Sequence, residues 1–186
     1  MHLINLEQAV FALQQQQVIA YPTEAVFGLG CDPWSTSALA SLLQLKQRPS
    51  HKGVIVVVST LRQLDVFVDW SAIAPATQAQ MQAVWALPTP TTWVVPALPT
   101  LQPLLCGEHT TIAVRVSHHP VVRALCDAFG GGIVSTSANI AGQVAATTHA
   151  EIEHQFSDQV LCLKGGLGGA NQASSIFNAI TGQQIR

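Results

Sequence analysis

Val54-Ile55-Val56-Val57-Val58 is an unbroken run of β-branched residues with the length of a single strand. Because no polar side chains alternate with these apolar ones, the run predicts a strand that is buried on both faces of its sheet. The composition agrees, since 48% of the residues are hydrophobic and only 10% are charged, against roughly 25% charged residues in an ordinary soluble domain. No apolar run approaches the ~18 residues of a membrane-spanning helix, so we expect a buried sheet and no membrane contact.

Helical patterns lie on both sides of this run. Before it, Thr36 is an N-cap candidate, and leucines recur at helical spacing until Pro49 ends the pattern. After it, we predict a helix around Leu61 to Phe67 and another that starts near Pro75, a residue suited to the first helical turn. Strands that alternate with helices are typical of the α/β class.

The second half of the chain continues this alternation. Residues 111–116 alternate in polarity and predict a strand with Thr111, Ala113 and Arg115 on one face. A helix from Pro120 to three consecutive glycines and a strand at Ile133-Val134 come next, and residues 150–156, 160–163 and 175–186 are predicted as helix, strand and hairpin. We therefore predict one α/β domain over residues 1–186, built on a twisted, open, mixed sheet flanked by helices.

Hydroxyl side chains stand at the ends of several predicted strands. Thr23 follows a short strand at residues 18–20, Ser135 to Ser137 follow Ile133-Val134, and Ser174-Ser175 precede the last hairpin. Together they predict a ligand crevice beyond the strand ends, where open α/β folds bind ligands. Taken singly, each is better explained as a turn cap.

The charge distribution favours a small anionic ligand over a nucleic acid. A net charge of −2 and a pI near 6.3 provide no general basic excess for binding phosphate backbones. Between Asp32 and Asp65, however, the charged residues are all basic, namely Lys46, Arg48, Lys52 and Arg62. Such a window attracts an anion, although an ordinary solvated surface explains the same pattern as well.

The spacing of cysteine and histidine does not predict a metal site. The cysteines are far apart and form no Cys-x-x-Cys pair, which favours buried free thiols over disulfides or a zinc site. The first residues lack the basic and apolar regions of a secretory signal, so we expect a cytoplasmic location.

Residues 21–30, Tyr21-Pro22-Thr23-Glu24-Ala25-Val26-Phe27-Gly28-Leu29-Gly30, closely resemble the opening signature of the YrdC-like family of threonylcarbamoyl-AMP synthases. Three later signatures of that family follow in order: Lys46-Gln47-Arg48-Pro49, Ala113-Val114-Arg115-Val116 and Ser135-Thr136-Ser137-Ala138-Asn139-Ile140-Ala141-Gly142. Since longer members carry an additional C-terminal domain, the chain resembles the short bacterial type. It departs from the family at Phe27 (usually Tyr), at Lys52-Gly53 (usually Pro-Leu), at residues 88–92 (usually Pro-Gly-Pro-x-Thr) and at residues 173–175 (usually Pro-Ser-Thr-like).

The resemblance implies a nucleotidyltransferase that makes threonylcarbamoyl-AMP and pyrophosphate from L-threonine, bicarbonate and ATP. The product serves the N6-threonylcarbamoyladenosine (t6A37) modification of tRNA. Mg2+ is implied as the ion that bridges the phosphates, and tRNA and a t6A-modifying protein complex are implied as partners.

The resemblance also implies roles for individual residues. Lys46 and Arg48 would be catalytic and would bind the triphosphate, because a compact ammonium and a planar guanidinium neutralise phosphate charge. The further ATP-binding candidates are Thr111, Ser137, Asn139 and Arg186.

The threonine site is implied in the same way. Arg115 would hold the carboxylate of threonine with two hydrogen bonds, and the other threonine-binding candidates are Thr23, Ser135 and Ser175. Gly28 and Gly30 would let the backbone approach the ligand. Glu24 is a possible general base or simply the partner of a nearby cation.

Two other functions stay open at this point. One is a non-catalytic RNA-binding module of the same fold, for tRNA or rRNA, against which the low Lys and Arg content counts. The other is a YrdC-like relative that adenylylates a different carbamate.

Overall fold

The computed structural model describes residues 2–186, in which nine strands form a single sheet. The strands are β1 (His2–Ile4), β2 (Ile19–Pro22), β3 (Phe27–Gly30), β4 (Ile55–Val58), β5 (Thr91–Pro96), β6 (Thr111–Val116), β7 (Ile133–Ser137), β8 (Leu161–Leu163) and β9 (Ser175–Asn178). The helices are α1 (Leu6–Gln14), α2 (Thr36–Leu45), α3 (Pro75–Trp85), α4 (Pro103–Cys106), α5 (Pro120–Phe129) and α6 (His149–Phe156).

The sheet is mixed, as the sequence predicted. Its strand order is β1-β8-β2-β3-β7-β4-β6-β5-β9. The pairs β1–β8, β8–β2, β4–β6 and β5–β9 are parallel, and the other four pairs are antiparallel. Residues 55–58 of the predicted run form β4 in the interior of this sheet. Val56 and Val58 are buried on one face and Val57 on the other, whereas Ile55 is only half-buried.

The two faces of the sheet are covered differently. One face packs against α2, α3, α4 and α6, and this core includes Leu39, Met81 and Phe156. The other face is covered by α1 and α5, through side chains such as Leu13 and Leu125. Because α1 and α5 pack near β2, β4 and β8, this second face stays open over β5, β6 and β9.

Local sequence explains where the helices start and stop. Ser35, not the predicted Thr36, caps α2, because the Ser35 hydroxyl accepts the Ala38 backbone N–H. Pro120 occupies the first turn of α5, and Gly130 ends that helix in the left-handed conformation at φ 88°. The helix predicted around residues 61–67 is wrong in type, since the structure has a short 3-10 helix at Leu61–Leu64.

The cysteines are free and buried, as expected from their spacing. Among the described residues, no helix has the length and apolar character needed to span a bilayer. Likewise, residues 2–186 contain no cluster of three or more His, Cys, Asp or Glu side chains that is suited to holding a metal ion.

Candidate active site

A cavity of about 870 Å³ lies over the open part of the second sheet face. It begins beyond the ends of β2 and β7, where the sequence predicted a crevice, and continues across the sheet. Ala113 of β6, Val94 of β5 and Ile176 of β9 form its floor. The alternation of β6 explains this floor, because Ile112 and Val114 pack into the core on the opposite face.

The inner end of the cavity is lined by buried polar side chains. Thr23, Glu24, Arg115 and Ser135 lie here, and each is almost fully buried. The Thr23 hydroxyl donates a hydrogen bond of 2.7 Å to the backbone oxygen of Val26, which fixes its orientation directly after β2. Buried polar groups are costly unless they are paired, so this concentration indicates a binding site.

Glu24 and Arg115 form an ion pair at this end. Their Oε2 and Nη2 atoms are 3.3 Å apart, and the Ser117 hydroxyl donates to the other carboxylate oxygen of Glu24 at 2.6 Å. Burial alone would raise the pKa of Glu24, but Arg115 and the Ser117 hydroxyl outweigh burial and hold this pKa below its usual value. Glu24 is therefore ionised at neutral pH.

The more exposed part of the cavity lining, here called its outer end, is basic. Arg48 lines it together with Lys52 and Arg186. The guanidinium of Arg48 donates two hydrogen bonds, of 3.2 and 3.0 Å, to the backbone oxygen of Gly53. Arg186 is held in a similar way, because its guanidinium donates to the backbone oxygen of Ser174 at 3.3 and 3.1 Å. The two guanidinium groups are thus fixed through neutral carbonyls, and their positive charge stays uncompensated by these contacts.

Lys46 lies behind the cavity wall rather than in it. It follows α2 directly and is buried, and its ammonium donates to the backbone oxygens of Ser137 and Asn139, the latter at 2.8 Å. Burial, and next the charge of Arg48, lower the pKa of Lys46 to about 8. The Ser137 hydroxyl also donates to the Asn139 side chain at 2.6 Å. Because the Lys46 ammonium holds the backbone oxygens of both residues, Lys46 organises the end of β7 and the loop that follows it.

The structure brings most of the predicted site residues to this one cavity. Those that line it are Thr23, Arg48, Thr111, Arg115, Ser135, Ser137, Asn139 and Arg186. Ser175 does not line the cavity. Ile176 and Asn178 of the same strand do, and because side chains alternate between the two faces of a strand, Ser175 lies on the opposite face. Gly28 lines the cavity but Gly30 does not. A Cβ on Gly30 would lie 2.3 Å from the backbone oxygen of Val134, so sheet packing explains that glycine.

Ser174 was predicted at the crevice together with Ser175, but only Ser175 was given a threonine-binding role. The structure brings Ser174 to the cavity instead, and its hydroxyl is 2.8 Å from that of Thr92. His109 and Asn178 line the cavity without having been predicted. Only the strand register could have selected Ser174 over Ser175, and nothing in the local sequence singles out the other two.

Comparison with known proteins places the chain in a family. Residues 11–186 match the Sua5/YciO/YrdC family model, which carries the description "Telomere recombination". The chain therefore belongs to the Sua5/YciO/YrdC family. It is 46% identical over 181 residues to the threonylcarbamoyl-AMP synthase of Yersinia enterocolitica, with 97% of this chain and 94% of the relative covered. It is 48% identical over 175 residues to the enzyme of that name from Serratia proteamaculans, with 94% and 92% covered.

Solved structures agree with this membership. P. abyssi Sua5 complexed with L-threonine is 26% identical and superposes with a TM-score of 0.81, covering 93% of this chain and 50% of that one. The chain thus spans about half the length of P. abyssi Sua5. E. coli YciO is 21% identical, with a TM-score of 0.80 and 97% and 89% of the two chains covered, which supports the fold alone.

Proposed function

We propose that this chain is an L-threonylcarbamoyl-AMP synthase, which makes threonylcarbamoyl-AMP and pyrophosphate from L-threonine, bicarbonate and ATP. The observation that carries the proposal is one cavity lined by a buried ion pair and, in its more exposed part, by two guanidinium groups. The names of relatives at 46% and 48% identity support the same reaction. Its product would supply t6A modification of tRNA.

The inner end suits the amino acid. Arg115 is buried but has an Nε that donates no hydrogen bond within residues 2–186, and a carboxylate supplies the acceptor that such a donor needs. Thr23 and Ser135 lie beside it and offer oxygen atoms to the polar groups of threonine. The related P. abyssi Sua5 was solved as a complex with L-threonine, which supports threonine as the ligand but does not locate it.

The outer end suits the nucleotide. After the threonine amine and bicarbonate have formed a carbamate and released water, a carbamate oxygen attacks the α-phosphorus of ATP, and the bond to pyrophosphate breaks. Such a displacement is accelerated by holding the attacking and leaving oxygens in line and by neutralising the spreading charge. Arg48 and Arg186 supply fixed positive charge for that purpose, with Thr111, Ser137 and Asn139 as neutral partners for the nucleotide.

Lys46 would act on the nucleotide through the loop after β7. Its ammonium fixes the backbone of Ser137 and Asn139. Arg48 lies close enough for its positive charge to contribute to the lowered pKa of Lys46. Binding of a polyphosphate nearby would favour the protonated form of Lys46. Lys46 therefore combines an organising role with an electrostatic one.

Magnesium would enter with the nucleotide. The carboxylate of Glu24, which lines the cavity, is already paired with Arg115, so the protein does not offer a cage of acidic ligands there. Mg2+ commonly keeps several waters and binds through substrate phosphates, and it would come as part of the substrate complex. A t6A-modifying protein complex, tRNA itself and a cytoplasmic location stay predictions.

Pyrophosphate release tests the proposal. Purified protein with ATP, bicarbonate and L-threonine should release pyrophosphate, and omission of threonine should abolish the release. Replacing threonine with serine or another amine in the same assay measures the selectivity. Release that ignores threonine, or salt-dependent tRNA binding without any ATP turnover, would refute the proposal and favour a different function of the same fold.

A further inference from the structure

Two complementary polar atoms are left without hydrogen-bond partners at the inner end of the cavity. Within residues 2–186, Arg115 Nε donates no hydrogen bond and Glu24 Oε2 accepts none, although both are buried. Each residue is only 8% exposed. The guanidinium of Arg115 lies 3.3 Å from Oε2 and offsets the charge of Glu24, but it makes no hydrogen bond to this oxygen. A buried donor or acceptor without a hydrogen bond is costly, so both atoms indicate contacts that a ligand completes.

The two atoms call for opposite groups on that ligand. Arg115 Nε requires an acceptor, which a carboxylate provides. Glu24 Oε2 requires a donor, and because Glu24 is ionised, a positively charged donor is preferred. An α-amino acid in its zwitterionic form carries both groups on one carbon atom.

Building on the proposed function, we propose that Glu24 binds the α-ammonium of threonine through Oε2 and so selects a substrate that has an amino group beside its carboxylate. Ser117 is the positioning residue for this contact. Its fully buried hydroxyl donates to Glu24 Oε1 at 2.6 Å, and it also accepts the backbone N–H of His119 at 3.2 Å. This arrangement leaves Oε2 as the carboxylate oxygen that faces Arg115 and has no hydrogen bond of its own.

The role of Glu24 is binding rather than proton removal. Its pKa lies below the usual value, and a carboxylate with a low pKa is a weak acceptor for the proton that the ammonium must lose before it forms a carbamate. The same low pKa keeps the carboxylate charged, which strengthens a contact with a cation.

The experiment compares two ligands that differ only in the amino group. Binding of L-threonine and of (R)-3-hydroxybutanoate, which is L-threonine without its α-amino group, is measured by calorimetry with the whole protein. The wild type should prefer threonine by about tenfold or more, because a hydrogen bond to a charged group contributes about that factor. In Glu24→Gln this preference should fall to within about twofold. The matched control is Glu7→Gln, because Glu7 is an exposed residue of α1 outside the cavity.

Ser117→Ala provides a second test that keeps the carboxylate. It should reduce the preference for threonine, and Ser117→Thr, which retains the hydroxyl, should restore it. The matched control is Ser59→Ala, which also removes a buried hydroxyl that donates to a carboxylate, that of Asp127, away from the cavity. Loss of stability alone would weaken both ligands equally and leave their ratio unchanged.

The outcomes separate this inference from the proposed function. If Glu24→Gln and Ser117→Ala weaken both ligands by the same factor, Glu24 acts only through Arg115 and the inference is overturned. The proposed function would survive that result, because it depends on threonine-dependent pyrophosphate release by the wild type. Wild-type binding of the two ligands with equal affinity would also overturn the inference.

Discussion

Replacement of Gly53 by alanine should weaken ATP use through Arg48, although Gly53 has no side chain to contact a ligand. Gly53 adopts φ 59°, and a Cβ there would lie 2.8 Å from the backbone oxygen of Cys106 and 2.9 Å from that of Leu105. With ψ at −177°, this backbone lies in a region that is essentially restricted to glycine, and it costs another residue about 1–3 kcal/mol. Because the obstacles are backbone atoms, the segment has to move, which also strains the hydrogen bond from Val54 N–H to the Leu105 oxygen.

The movement displaces the oxygen that holds Arg48. Both hydrogen bonds of the Arg48 guanidinium go to Gly53 O, and each bond to a charged group is worth about 1.5–3 kcal/mol. A displaced guanidinium that then loses one hydrogen bond to a phosphate, a contact of the same kind, should raise the KM for ATP about tenfold. The affinity for threonine, for which we propose a site at Arg115, should change by less than about twofold.

Gly130→Ala is the matched control for this experiment. Gly130 also has a positive φ, of 88°, in its case in the left-handed helical region, but a Cβ there meets no atom within 4 Å. It should lose about 1–2 kcal/mol, or roughly 2–8 °C in melting temperature, without any change in the KM for ATP. Gly53→Ala should lose about 1 kcal/mol more. An unchanged KM for ATP in a folded Gly53→Ala protein would refute the role given to this carbonyl.

Three further predictions concern individual side chains. Arg115→Lys should raise the KM for threonine about tenfold or more, because a lysine cannot donate two parallel hydrogen bonds. The KM for ATP, measured alongside, should stay within about twofold. Equal changes in both KM values would contradict the division of the cavity into a threonine end and an ATP end. Lys46 should make ATP binding depend on pH, because its pKa of about 8 means that the free protein loses this positive charge as pH rises through 8. The affinity for ATP should therefore fall above pH 8, and Lys46→Arg should move this fall to higher pH. Ser175→Ala should leave threonine use unchanged because Ser175 faces away from the cavity, whereas Ser174→Ala should impair substrate use; the reverse ranking in steady-state kinetics would show that the strand register is wrong.

Local sequence was sufficient where a strand or helix follows its own periodicity. The bounds of β6 were predicted correctly because its alternation is regular, and the same alternation correctly placed Arg115 on a sheet face. Pro120 and the glycine after Phe129 identified both ends of α5. In each case the interactions that set the bounds of the strand or helix join residues only a few positions apart in the sequence.

Elements that depend on distant contacts were missed. β3 contains Gly28 and Gly30, which weaken any strand pattern, yet Gly30 is required there because its Cα faces Tyr21 and the Val134 oxygen. β5 ends in a proline and was not predicted either. β3 pairs with its near neighbour β2 but also with the distant β7, and β5 pairs with the distant β9, so no short window contains all the contacts that define these two strands.

The site was predictable as a set of residues but not as a geometry. Motif resemblance found Arg48, Arg115 and Asn139, which share one cavity. It could not show that Lys46 contacts the backbone of the β7 loop rather than the open cavity. Contacts of that kind depend on how α2 packs against β7, and only the folded chain displays that packing.

The most direct test of the account is a crystal structure with L-threonine and a non-hydrolysable ATP analogue bound together. We predict that the threonine carboxylate lies within hydrogen-bond distance of Arg115 and that the phosphates lie against Arg48, with both ligands in the same cavity. Binding of either ligand outside this cavity, or phosphates placed against Arg115 with the amino acid at Arg48, would contradict the central claim.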